Sequence, residues 1–406
     1  MMIRKTKFIA LFITGILASV GLIGILSGTA ASLPAPATPL DATTISKYTD
    51  QLVIPPSYVP QVTYEGGKKI HEYRVSMERF QQQILPAGYP MTAVFGYKGD
   101  ARFPGGPVIP GFQNTPSATF EAVRGIPIRV HYENNLTGSS MLPVDPTLHW
   151  ADPNGLGMPM MPFPSFPPGF SQAPNPIPAV VHLHGGEVRS DSDGGPEAWY
   201  TENGLRGQDA APFDAGTNNT VTFNYPNTQQ PTTLFYHDHA LGITRINLMS
   251  GLAGFYLLRD PADTIAPSLP SGKYEVPVAI QDRSFNDDGS LNFPTVGVNP
   301  DVHPYWMPEF FGDTIMVNGK LWPNLNVEQH QYRLRVLNGS NARFYHLALS
   351  NGQSFTQIGA EQGYLPHPLT LSSLLLAPGE RPDILVHFPG LTPGTQVILP
   401  HDATPP

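Results

Sequence analysis

Proline and glycine set the limits on this fold. The chain carries 46 Pro and 39 Gly in 406 residues. Proline breaks helix interiors and glycine weakens them, so the composition argues against long helices and for many short strands joined by turns. Hydrophobic residues make up 40% of the chain, ample for buried cores, and the length exceeds one ordinary domain. Only 14% of residues are charged and the net charge is -9. That balance argues against a nucleic-acid partner, which needs a basic surface to meet the phosphate backbone. There is no cysteine, so neither a disulfide nor any thiolate metal ligand can come from these residues.

The N-terminus has the layout of an export signal. Arg4, Lys5 and Lys7 precede an apolar run over residues 8–26 and small residues over 27–32. Cleavage is expected near Ala30 or Ala31. The run is also just long enough to span a bilayer, so an uncleaved anchor stays open. Either way residues 1–32 are a targeting segment, and the folded part is expected outside the cytoplasm, in the periplasm or the extracellular space.

Residues 33–51 read as a linker, opening with a Pro/Ala-rich tether over 33–40. From residue 52 onward the pattern is β. Strands are expected over 69–77, over 89–97 with an interruption at Gly96, and as a pair over 119–132 around Gly125. Further strands are expected over 180–184, 220–225, 233–237 and 252–258, closing a first unit of 52–260. Residues 102–112 read as loop, and 146–178 as a long proline-rich insertion. A second unit, 261–406, has expected strands at 274–282, 314–317, 332–337, 343–349, 354–358, 384–388 and 397–399. It is expected to lack its closing strand, which would leave an open edge.

A faint repeat links the units. Glu121 leads to Ile128-Arg129-Val130 and Asn134-Asn135, while Glu328 leads to Leu334-Arg335-Val336 and Asn338. Two copies of one β-sandwich type explain it economically.

The chemistry concentrates in His182-Leu183-His184 and His237-Asp238-His239. Residues i and i+2 of a strand share a face, so each pair can offer two imidazoles to one small volume. Glycine follows both pairs closely and permits a sharp exit and close approach. Imidazole suits copper, zinc, iron and nickel, and ligand chemistry alone leaves copper and zinc open. One such pair among 13 histidines could be chance; two on expected strands point to metal. Asp193 lies in an Asp-Gly turn and reads equally as a turn residue. Asp238 points away from its flanking histidines and reads equally as their support or as a surface or turn residue. The remaining histidines read as structural or exposed.

The flanking sequence resembles the multicopper oxidases, in particular the spore-coat laccase and bilirubin-oxidase branch. The matching runs are His182-Leu183-His184-Gly185-Gly186, Asp191-Ser192-Asp193-Gly194, Pro196-Glu197-Ala198-Trp199, Tyr236-His237-Asp238-His239-Ala240, Gly242-Ile243-Thr244-Arg245 and Gly251-Leu252-Ala253-Gly254-Phe255-Tyr256. In the second unit they are Val317-Asn318-Gly319-Lys320, the run from Leu337 to Tyr345, and Leu376-Ala377-Pro378-Gly379-Glu380-Arg381. The resemblance implies an all-β fold of two cupredoxin-like Greek-key sandwiches, with the family's third domain absent. It implies a copper cluster that reduces O2 while a reducing substrate of unknown identity is oxidised. His182 would bind the type 2 copper, and His184, His237 and His239 the type 3 pair. Asp193 matches an acidic residue near the cluster and is the candidate proton donor.

The family's third domain carries a His-X-X-His-X-His run and a His-Cys-His run, which supply the blue type 1 copper and the other cluster ligands. Neither run is here. The expectation is therefore a truncated or split laccase-like oxidase without a type 1 site, whose missing cupredoxin domain could be encoded separately. The competing expectation is a non-catalytic exported copper-binding module.

Overall fold

The computed structural model describes residues 37–155, 171–295 and 304–399. The segment expected to direct export, and residues 156–170 of the proline-rich stretch over 146–178, lie outside the described residues. Within them the chain is built from strands, with one short α-helix, Thr244–Ser250. Alternation does the work locally. In Lys68–Gln82, Tyr73, Val75 and Met77 are buried while Glu72, Arg74 and Ser76 point outward.

Strands from residues 57–259 make one large curled sheet. Its order is Val181–His184, Thr232–Asp238, Ala253–Arg259, Ser117–Val123, Ser57–Tyr58, Thr92–Arg102, Lys68–Gln82, Ile128–Asn134, Thr220–Tyr225. The two-residue Ser57–Tyr58 strand joins the two halves, pairing parallel with Ser117–Val123 and antiparallel with Thr92–Arg102. The halves close over an aromatic core, where Phe120 packs against Tyr58, Tyr73 and Tyr236 at centroid distances of 4.7, 5.0 and 5.0 Å.

Residues 275–387 supply a second sheet, in the order Lys320–Leu321, Thr314–Val317, Glu275–Arg283, Gln331–Asn338, Asp383–His387, Phe355–Ala360, Gly363–Leu371, and a small third one of Tyr345–Ala348 with Ser373–Leu376. The sequence repeat has a structural counterpart. Ile128–Asn134 runs parallel to Lys68–Gln82 and antiparallel to Thr220–Tyr225. Gln331–Asn338 runs parallel to Glu275–Arg283 and antiparallel to Asp383–His387. Each strand ends on an asparagine doing the same job. Asn134 Nδ2 donates to the carbonyls of Ile177 and Tyr200, and Asn338 Nδ2 to those of Arg343 and Leu376. Each side-chain oxygen accepts from the backbone N–H two residues on.

Several local expectations are corrected. Gly96 does not interrupt its strand; Thr92–Arg102 runs straight through, and the glycine serves close packing, since a Cβ there would lie 2.7 Å from the Asn114 carbonyl. Residues 102–112 are not all loop, because Val108–Phe112 folds back on Thr92–Arg102. The strands at Ser117–Val123 and Ile128–Asn134 exist but do not pair with each other; the first joins Ala253–Arg259 and the second Lys68–Gln82. Residues 397–399 form no strand, although Ile398 and Ser350 exchange hydrogen bonds.

Two features join the sheets. Phe235, Phe255 and Leu257 form one apolar cluster with Ala279 and Leu337. Beside it, the buried Glu275 carboxylate pairs with Arg259, Arg335 and Arg333, and Asp383 with Arg333 and Arg335. Residues 38–52 lie along the second sheet, Leu40, Tyr48 and Leu52 donating backbone hydrogen bonds to Phe285, Trp322 and Asn324.

Candidate metal centre

Two antiparallel strands build the site. His182 lies directly opposite His237, and His184 directly opposite Phe235. Such cross-strand partners hold their Cβ atoms within about 5.5 Å, so register alone brings three imidazoles together. The fourth, His239, sits one residue past the end of Thr232–Asp238, and its backbone N–H donates to the Val180 carbonyl at 2.9 Å. The ring centroids of His182 lie 5.5, 5.8 and 4.7 Å from those of His237, His184 and His239. Nitrogens of His182, His184 and His237 lie within 4.8 Å of one another. All four imidazoles singled out in the sequence therefore converge.

Hydrogen bonds fix which nitrogen of two rings is free. His182 Nδ1 is 2.6 Å from the backbone carbonyl of Asp193, and His237 Nδ1 is 2.6 Å from that of Asp238. A carbonyl can only accept, so each Nδ1 carries the proton and each Nε2 keeps its lone pair. His237 Nε2 faces His184 Nδ1 at 3.1 Å. His239 Nδ1 is buried and has no hydrogen-bond partner among the described residues. A lone pair aimed at a neighbouring ring nitrogen, beside a buried unpaired nitrogen, is a donor set that fits a metal ion.

The surroundings keep the His184, His237 and His239 rings neutral. Burial lowers the His184 pKa to about 4, with help from the charge of Arg381. Burial likewise pushes His237 well below the usual histidine range, and His239 down. Neutral imidazole is the ligating form.

Asp193 is placed differently from a simple acid beside the cluster. Its backbone carbonyl orients His182, while its half-exposed carboxylate lies 3.4 Å from the same Nδ1. Gly194 keeps that segment close, with φ at +69° and no room for a Cβ against the Val181 carbonyl. Asp238 is not at the surface. It is fully buried, accepts from the backbone N–H groups of Val180 and Ala240, and so ties the start of one histidine strand to the turn after the other. Burial raises its carboxyl to about 7.

Phe235 was not singled out by sequence. It stacks on His184 at 4.5 Å and 25° and on His237 at 4.9 Å and 22°. The period-two rule that marks His237 and His239 marks Phe235 equally, since all three share one strand face. A second unexpected contributor is the 377–381 turn. A Cβ at Gly379 would lie 3.7 Å from His184 Cε1. Of the scattered histidines, His131 bridges Glu72 and Asp214 on the outer sheet face, while His303 and His401 lie outside the described residues.

The fold is that of solved multicopper oxidases. A laccase from Pediococcus acidilactici superposes with a TM-score of 0.63 at 23% identity, covering 88% of this chain and 61% of the laccase. The McoA multicopper oxidase of Aquifex aeolicus gives 0.60 at 24%, covering 86% and 59%. These place the two sheet systems as cupredoxin-like Greek-key sandwiches. No family model matches the sequence. A laccase of Bacillus subtilis strain 168 is 38% identical over 364 residues, 89% of this chain and 62% of that laccase. A multicopper oxidase of Arabidopsis thaliana is 41% identical over 319 residues, 78% of this chain and 48% of its own length. The chain is related to laccases and multicopper oxidases over most of its own length, and it spans between 48% and 62% of the length of these two relatives.

Proposed function

We propose that this chain carries half of the oxygen-reducing centre of a laccase-like oxidase, with His182, His184, His237 and His239 as copper ligands. The convergence of four imidazoles across one strand pair is the observation that carries this reading. His182 serves the type 2 position and the other three serve the type 3 pair. Copper bound there supplies the one-electron steps that couple substrate oxidation to reduction of O2 to water.

The chain's own residues prepare the site. The Asp193 and Asp238 carbonyls hold two imidazoles in the ligating tautomer. Phe235 shields and flattens the His184–His237 side. The Asp193 carboxylate reaches both solvent and His182, which suits it to deliver protons toward the site. A blue type 1 copper requires a cysteine thiolate, and these 406 residues contain none. That site and the remaining imidazoles belong to residues outside them, on a continuing or a separate chain. The basic and apolar N-terminal run supports export to the periplasm or beyond.

The test is copper loading followed by an oxygen-electrode assay with a phenolic substrate, on the chain alone and with a polypeptide supplying the His-Cys-His segment. Copper uptake without turnover alone, and turnover on addition, is expected. Copper uptake with no turnover in either case would favour a copper-binding module. Laccase turnover by the chain alone would refute the half-centre reading.

A further inference from the structure

Arg381 belongs to the second sheet system yet ends at the copper site of the first. It is buried, only 1% exposed. Its guanidinium lies 5.4 Å from the centre of the Phe235 ring, whose face stacks on His184 and His237. It donates to the backbone carbonyls of Thr233 and Gly379 at 3.2 and 2.7 Å, and to that of Glu361 at 3.5 Å. Among the described residues no carboxylate lies within ion-pairing distance of its guanidinium, although the Glu361 and Glu380 charges act on it and oppose the burial that lowers its pKa. Glu361 instead accepts from the Arg381 backbone N–H. The other arginines at the junction, Arg259, Arg333 and Arg335, all have carboxylate partners.

The seat is shaped to admit this side chain. Gly185, next to His184, has φ at +83°, and a Cβ there would lie 2.8 Å from Arg381 Nη2 and 3.3 Å from Gln362 Nε2. Gln229 and Gln362 both donate to the Gly185 carbonyl. An arginine buried without a direct ion pair is costly, and backbone carbonyls, one ring face and the more distant Glu361 and Glu380 charges offset that only in part. Such a charge is better placed to act on its surroundings than to stabilise the fold.

We propose that Arg381 is a positioning residue for the copper site: it presses Phe235 onto the His184–His237 pair and its fixed charge favours Cu(I) over Cu(II) there. This rests on the copper reading above. The distances set the size of the effect. With 5.4 Å from Arg381 to Phe235 and 4.5 Å from Phe235 to His184, the charge stands within about 10 Å of the ligand. At an effective dielectric of about 20, that corresponds to roughly a tenfold bias between charge states differing by one.

The experiment measures the affinities of the full chain for Cu(I) and Cu(II) by competition with coloured chelators, anaerobically for Cu(I). Arg381→Met should shift the affinity ratio toward Cu(II) by roughly tenfold. Arg381→Lys, which keeps the charge but not the forked contacts, should leave the ratio near wild type. Gln362→Glu is an exposed change that adds a carboxylate beside the same Gly185 seat, and it should shift the ratio in the direction of Arg381→Met. If Arg381→Met fails to fold, this second variant decides the matter. Copper bound by wild type and variants with one common ratio would overturn the inference alone. A wild-type chain that binds no copper would remove the underlying reading and the inference together.

Discussion

Gly194 shows how much of the site hangs on single positions. Its φ of +69° disfavours any side chain, and a methyl group would overlap the Val181 carbonyl one residue before His182. Gly194→Ala should therefore cost more than about 2 kcal/mol and displace the Asp193 carbonyl from His182. A thermal melt lowered by several degrees, with weaker copper binding, is expected; a melt at the wild-type temperature would show that the segment relaxes freely. Phe235→Leu keeps an apolar side chain but loses two ring stacks, each worth about 0.5–1.5 kcal/mol. Copper affinity should drop severalfold in a competition titration, and an unchanged affinity would mean that the ring only fills space. At this scale the convergence of the four histidines was legible because period two and imidazole chemistry are local properties. Asp193 was legible as a site residue, but the part played by its carbonyl was not, since a backbone carbonyl leaves no mark in the sequence. Arg381 stood out only as part of a familiar run, because nearly two hundred residues separate it from the histidine it serves.

Between elements, the junction of the two sheet systems rests on Glu275. Burial alone would raise its carboxyl, but Arg335, Arg259 and Arg333 outweigh it and hold the pKa at about 2. A carboxyl depressed in the folded state contributes stability above its unfolded pKa, near 4.5, and loses it as pH falls through the folded value. The stability contributed by Glu275 should thus disappear between about pH 4.5 and 2, and it amounts to about 3 kcal/mol. Denaturant melts across that window should steepen for the wild type and flatten for Glu275→Gln. The same acid slope in both would assign the loss to other groups. At neutral pH the substitution strands buried arginines and should cost about 3 kcal/mol or more. Most strands were readable where one face is buried. Gly363–Leu371 was missed because it is largely exposed and carries Pro366 and Pro368, so it shows no alternation. The pairing around Gly125 was misjudged because strands adjacent in sequence need not be neighbours in a sandwich. Register and partner depend on the closure of the whole barrel-like sheet, which no short window contains.

In the molecule as a whole, a cupredoxin-like pair of sandwiches carries a cluster of four imidazoles at the edge of the first. Bound copper should raise the melting temperature, since a ligand held only by the folded state stabilises by about 2.7 kcal/mol at a hundredfold excess over Kd. The loaded chain should show no blue absorbance, because its residues include no thiolate. The central claim is that His182, His184, His237 and His239 hold copper together. Equilibrium dialysis against Cu(II), followed by metal analysis of the wild type and of the His184→Ala, His239→Ala double variant, tests it most directly. The wild type should retain copper stoichiometrically and the folded double variant should retain none; equal copper in both, or none in either, would contradict the account.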